Sequence, residues 1–298
     1  MSPHSATDLL SKYWGHTHFR PLQADIIANV TDGIDTIALL PTGGGKSICF
    51  QVPGLMMDGI CLVISPLIAL MNDQVAQLTA KGIKAAAITS GMHFRECENI
   101  LANAAEGGIK FLYLSPERID SDKFKNKLSY LKVGLIAIDE AHCISQWGFD
   151  FRPSYLNIYA LRTIFPKIPF IALTATATEQ VISDISTHLQ LENFKLFRKS
   201  FERKNITYAV IETENKLERL VKVFDKIKGS GIVYVRNRKL TWSIAQLLNR
   251  NQIPAIHYHA GLTHDERNNS QKLWMDGKVR VVVATNAFGM GIDKSNVR

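Results

Sequence analysis

Short apolar runs alternate with longer stretches whose apolar positions recur every three or four residues, from one end of the 298-residue chain to the other. TIALL (36–40), ICLVIS (60–65), KAAAIT (84–89), KFLYLS (110–115), VGLIAID (133–139) and PFIALT (169–174) predict strands. These runs are nearly continuous in apolar character, as parallel strands buried on both faces are. The stretches between them are long enough for crossover helices. In residues 66–82, Leu67, Leu70, Met71, Val75 and Leu78 share one face.

From about Asn205 the pattern restarts. ITYAVI (206–211), GIVYV (231–235), PAIHYH (254–259) and VRVVVAT (279–285) predict four strands, with helices over 214–228, 239–250 and 263–276. The polar, basic seam at 193–205 reads as a linker. The expected fold class is α/β, with two tandem domains over 1–199 and 200–298, each built on a parallel sheet, the second ending soon after its fourth strand.

Charge separates the two halves. Residues 1–199 hold 18 Lys and Arg against 18 Asp and Glu, whereas residues 200–298 hold 17 against 9, so the whole net charge of +8 lies in the last third. A basic half beside a neutral one suits a polyanionic partner, although a solvated lysine-rich face has the same composition. The apolar content of 46% with 21% charged residues is that of a globular chain and excludes disorder. No apolar run approaches the roughly 20 residues of a membrane span, and MSPHSATDLL lacks the features of a signal peptide. Four scattered cysteines without a CxxC pair give neither a disulfide framework nor a zinc site. An intracellular, cytoplasmic protein without a membrane partner is expected.

The strongest local signal is LPTGGGKS (40–47), between a strand and a helix. Glycines let backbone N–H groups close around phosphates; Thr42, Gly43, Gly44 and Gly45 build that loop here. Lys46 is placed to reach the β- and γ-phosphates of ATP, and the Ser47 hydroxyl to coordinate Mg²⁺. Leu40 stands where the commonest form of the loop has glycine; PTGxGK[ST] is the variant found in helicase-type ATPases. About 90 residues later a strand ends in Asp139-Glu140-Ala141-His142. Asp139 suits the metal-side role, and Glu140 suits orientation of the attacking water.

The combination resembles superfamily-two helicases, and the flanking residues resemble the RecQ family of DNA helicases along essentially the whole chain. WGHTHFRPLQADII (14–27) is similar to the family motif ahead of the phosphate loop; it implies Arg20 along the adenine and Gln23 on its N6/N7 edge, with His16 where an aromatic residue is usual. CISQWGFDFRPSY (143–155) resembles the aromatic-rich segment that links DNA binding to ATP hydrolysis. Trp147, Phe149 and Phe151 offer flat faces to unstacked bases, and Arg152 a cation for phosphate. Phe149 replaces the more usual His.

SPLIALMNDQV (65–75) and LTATAT (173–178) match further motifs; Ser65 is implied at the nucleic-acid backbone, and Thr174 and Thr176 between the carboxylates and domain closure. In the second domain the resemblance implies Arg236, Asn237, Arg238 and His259 on the DNA side. It implies Thr285, Phe288, Gly289 and Gly291 in a turn lining an interdomain cleft, and Asp293 on the ATP side. The family's next motif, which carries an arginine finger, is not in the sequence, so a truncated helicase is expected. The implied fold is two RecA-like domains of the P-loop NTPase kind, the second incomplete. The implied activity is ATP-dependent 3′-to-5′ translocation on single-stranded DNA and unwinding of forked DNA, in repair and recombination. Alternatives are an ATP- and DNA-binding fragment with little turnover, an RNA helicase of the DEAD-box type, and a non-enzymatic nucleic-acid-binding module.

Overall fold

The computed structural model describes residues 5–41, 43–148, 150–200, 206–289, 292 and 294–298. The chain divides into two compact units, Met1–Arg203 and Lys204–Arg298.

The first unit contains strands β1 (Thr36–Leu39), β2 (Ile60–Ile64), β3 (Ala85–Ile88), β4 (Phe111–Leu114), β5 (Val133–Ile138), β6 (Phe170–Thr174) and β7 (Lys195–Arg198). They form one sheet in the order β3-β4-β2-β5-β6-β1-β7, and every pairing is parallel. Continuous apolar runs suit this sheet because successive side chains point to opposite faces and both faces are covered. Ile37, Leu39, Leu62, Ile64, Ile136 and Ile138 enter one core. Their neighbours Ala38, Val63, Leu135 and Ala137 enter another, with Phe50 and Met71 from the helices at 48–56 and 68–80.

The second unit contains β8 (Gly231–Tyr234), β9 (Ala255–Tyr258) and β10 (Val281–Ala284) in the parallel order β8-β10-β9. Val281 and Val283 pack with Ile244 and Leu248 of the helix at 238–250, while Val282 and Ala284 pack with Trp274 and Phe288. The helix at 264–275 begins with a reciprocal cap between Thr263 and Glu266.

Two expectations are corrected. The linker at 193–205 begins as β7, which pairs with β1 through residues 195–198. Only Phe197 of its four residues is buried, so this edge strand carries too little apolar signal to be read. Conversely, ITYAVI is not a strand, and the second unit has three strands among the described residues. A strand needs a neighbour for its N–H and C=O groups; here Val210 is 99% exposed and no ladder reaches the segment. Among the described residues no helix is long and apolar enough to cross a membrane.

Candidate functional site

In an open parallel sheet, sites form beyond the carboxyl ends of the strands, and the phosphate loop follows the carboxyl end of β1. Its backbone depends on glycine. Gly43 and Gly45 have φ of +74° and +76°, and a Cβ on Gly44 would lie 2.7 Å from the Pro41 carbonyl oxygen. The helix at 48–56 starts directly behind, with Ser47 at its N-cap; the Ser47 hydroxyl makes no capping bond and is available to a ligand.

Arg20 and Gln23 sit against this loop. The Arg20 guanidinium donates to the Gly43 carbonyl, and Gln23 Nε2 donates to the carbonyls of Gly44 and Gly45 at 3.3 and 3.0 Å. Gln23 Oε1 in turn accepts the Arg20 N–H at 2.9 Å. The two side chains implied at adenine therefore brace the phosphate loop. Thr42 lies outside the described residues.

The carboxylates stand at the end of β5, two places from β1 in the sheet. Lys46 Nζ lies 3.6 Å from Glu140 Oε1, which joins the phosphate loop to the acidic segment. Asp139 is buried, and burial with the adjacent Glu140 charge holds its carboxyl well above the usual carboxylate range, against the opposing pull of Lys46. Glu140 has φ of +47°, unusual for a residue with a Cβ and of the kind found where a site stores strain.

His142 Nδ1 lies 2.8 Å from Thr174 Oγ1 and 3.4 Å from Glu140 Oε2. The Thr174 hydroxyl also lies 3.1 Å from the Thr176 carbonyl oxygen, so it bridges His142 and the turn that follows β6. Burial holds this imidazole below its usual range, and Glu140 opposes the shift. Thus the LTATAT segment touches the acidic segment through His142, to which the sequence reading gave no role. A second unassigned residue is Tyr155, fully buried, whose hydroxyl donates to the Asp139 carbonyl at 2.9 Å. Its only sequence signal is its place at the end of the aromatic segment.

Could this site hold Mg²⁺ and a nucleotide? Among the described residues no group of three or more His, Cys, Asp and Glu side chains is arranged to hold a metal ion by itself. A buried, under-compensated Asp139 carboxyl and an unspent Ser47 hydroxyl are hard oxygen donors of the kind Mg²⁺ accepts, with phosphate oxygens supplying further ligands. The glycine cradle fits phosphate. The residues present fit both groups.

The aromatic segment is anchored at both ends. Ser145 Oγ donates to Asp184 Oδ2 at 2.5 Å and accepts the Trp147 N–H at 3.1 Å. Arg152 pairs with Asp150 at 3.1 Å and donates to the Pro66 carbonyl at 2.8 Å, so its guanidinium is already engaged within the protein. Trp147 is 76% exposed, Phe151 is half-buried, and Phe149 lies outside the described residues. Ser65 is only 1% exposed and its hydroxyl has no hydrogen-bond partner, so the structure does not present that side chain to a nucleic-acid backbone.

In the second unit, Arg236, Asn237 and Arg238 follow β8 and are exposed; Asn237 caps the helix at 238–250 through the Lys239 N–H at 2.7 Å. His259 follows β9 and accepts the Gly261 N–H on Nδ1 at 3.2 Å. Phe288, expected to line a cleft, is instead buried in edge-to-face contact with Tyr258 and Trp274. Its carbonyl accepts the Tyr234 hydroxyl at 2.9 Å. Gly291 and Asp293 lie outside the described residues.

Residues 20–185 match the family described as DEAD/DEAH box helicase, and residues 215–298 match the helicase conserved C-terminal domain. The protein named ATP-dependent DNA helicase RecQ from Pasteurella multocida is 43% identical over 99% of this chain and 47% of its own length. Its namesake from Bacillus subtilis is 46% identical over 99% of this chain and 50% of its own length. The chain thus spans about half the length of these curated relatives. Among solved structures, Mycobacterium smegmatis helicase Lhr bound to single-stranded DNA and AMP-PNP superposes with a TM-score of 0.73 at 19% identity, over 99% of this chain and 43% of that one. The DUF1998 helicase MrfA bound to DNA and AMPPNP superposes with a TM-score of 0.76 at 18% identity, over 97% and 45%. These superpositions speak for the fold, two tandem RecA-like helicase domains. The chain therefore belongs to the DEAD/DEAH box helicase family, and over 99% of its length it is similar to proteins named RecQ.

Proposed function

We propose that the chain works as an ATP-dependent DNA helicase motor. The observation that carries this reading is the 3.6 Å contact between Lys46 of the phosphate loop and Glu140, beside the buried Asp139. Lys46, Ser47 and the glycine loop hold the triphosphate, Asp139 and Ser47 take Mg²⁺, and Glu140 orients water and accepts its proton. Bound Mg²⁺ supplies charge neutralisation at the phosphate oxygens. Arg20 and Gln23 turn from the loop carbonyls to the adenine when nucleotide enters. Asp293 adds a contact on the nucleotide side.

Single-stranded DNA runs over Trp147, Phe149, Phe151 and Arg152 on the first unit and Arg236, Asn237 and His259 on the second. Turnover drives 3′-to-5′ movement and separation of forked duplexes, in repair and recombination inside the cell. Relatives named ATP-dependent DNA helicase support this reading.

The test is ATP hydrolysis with and without single-stranded DNA, beside Glu140→Gln. Strong DNA stimulation lost in the variant supports a DNA-dependent motor. Tight nucleotide and DNA binding without turnover points to a binding fragment. Stimulation by RNA alone refutes the proposal.

A further inference from the structure

The helix at 238–250 buries Thr241, Ile244, Ala245 and Leu248, yet carries a tryptophan, Trp242, that is 56% exposed. A tryptophan in that position offers a flat apolar face with a polar edge to a partner.

Helix periodicity says what Trp242 sits beside. It follows Arg238 by four residues and precedes Asn249 by seven, so the three share one flank. That flank faces β9. Asn249 is bonded to both backbone groups of Ala255, with Nδ2 to the carbonyl at 2.9 Å and Oδ1 from the N–H at 2.8 Å. At the other end, Arg238 Nη1 lies 3.1 Å from where a Cβ on Gly261 would be, and His259 Nδ1 lies 3.2 Å from the same point. Ala255 packs on the helix side of the sheet, so His257, two residues on along the strand, points to that side as well. The His257 and His259 rings are 5.7 Å apart. Glu266, whose charge acts on both imidazoles, is held by the Thr263 N–H and hydroxyl at 2.8 and 2.9 Å.

The indole is therefore framed by basic and polar groups. Its exposed helix neighbours are Arg238, Lys239 and Gln246, two cations and an amide. Residues 200–298 carry 17 Lys and Arg against 9 Asp and Glu. A flat aromatic face among cations is what binds a polyanion with unstacked bases.

We infer that Trp242 is a base-stacking contact for single-stranded DNA, in a patch it forms with Arg238, His257 and His259 along the β9 side of the second unit. This rests on the proposed DNA-binding role and extends it to Trp242 and His257.

The experiment is a fluorescence-anisotropy titration of a labelled oligo-dT with the full chain and with Trp242→Ala, Trp242→Phe and Arg238→Ala, at several salt concentrations. Loss of one stacked base is expected to weaken binding by Trp242→Ala about 5- to 100-fold, with an unchanged salt slope and an unchanged melting curve. Trp242→Phe keeps a ring and stays within about threefold of the parent, while Arg238→Ala lowers the salt slope by about one unit. Binding by Trp242→Ala within twofold of the parent overturns the inference. A parent chain that binds no oligonucleotide overturns the DNA-binding reading together with it. Unchanged DNA binding with reduced self-association in sedimentation would instead assign the indole to a second copy of the chain and overturn the inference.

Discussion

Tyr155→Phe removes a single oxygen, the one that donates to the Asp139 carbonyl. The site is fully buried, so no water replaces the lost donor and the carbonyl is left without it. The Asp139 N–H keeps its bond to the Ile64 carbonyl at 2.9 Å, so β5 stays paired and the damage is confined to the turn into Glu140. An unsatisfied buried acceptor costs about 1–3 kcal/mol, which for a unit of this size lowers the melting temperature by roughly 3–9 °C. The turn matters because Glu140 is held at a φ of +47°, and a less firmly held peptide lets it relax. Thermal denaturation reads the first effect. Steady-state ATP hydrolysis reads the second, as a several-fold fall in kcat with little change in KM, since Lys46 and the glycine loop are untouched. Tyr155→Leu provides the contrast by losing the ring as well, and should melt lower still. If Tyr155→Phe melts within 1 °C of the parent at unchanged kcat, the hydroxyl neither satisfies the carbonyl nor steadies the turn, and the reasoning fails.

Gly45→Ala meets two obstacles, a φ of +76° and a Cβ only 2.5 Å from Gln23 Nε2; it should displace Gln23 and reduce affinity for a fluorescent ATP analogue at least tenfold while costing only about 1–2 kcal/mol of stability. Arg162 pairs with Asp35 at 2.6 Å and lies 3.9 Å over the Phe170 ring, while Asp35 also accepts the Phe170 N–H at 2.8 Å. Arg162→Ala should therefore destabilise the first unit by about 3 kcal/mol in urea denaturation, because a largely buried carboxylate loses its counter-charge. The four cysteines are all buried, and burial pushes the Cys49 and Cys143 thiols up to about 12. Because all four thiols are shielded by burial, at pH 8 a thiol reagent should modify the native chain in hours and the urea-unfolded chain in seconds.

The phosphate loop and the acidic tetrapeptide were legible because their chemistry is local: spacing alone places glycines, a lysine and two carboxylates at strand ends. The nine strands read correctly were those whose residues are mostly apolar. β7 escaped because an edge strand with one buried residue looks like a linker, and ITYAVI misled because alternation describes a side-chain pattern, whereas a strand also requires a partner. Phe288 illustrates a further limit, since an aromatic residue in a glycine-rich turn reads as part of a surface until its contacts with Tyr258 and Trp274 show it to be core.

By itself the sequence determined the fold class, the end of the sheet where chemistry gathers, and the residue types available there. Those follow from periodicity and from short-range geometry, which act over a few residues. Only the tertiary structure decided that Gln23 and Arg20 brace the phosphate loop, that His142 joins Thr174 to Glu140, and that Tyr155 holds the Asp139 carbonyl. Each of these is a hydrogen bond or close charge contact whose free energy depends on burial and on a few tenths of an ångström, and most join residues far apart in the chain. No pattern along the sequence encodes such distances; they arise when parallel strands bring their ends together.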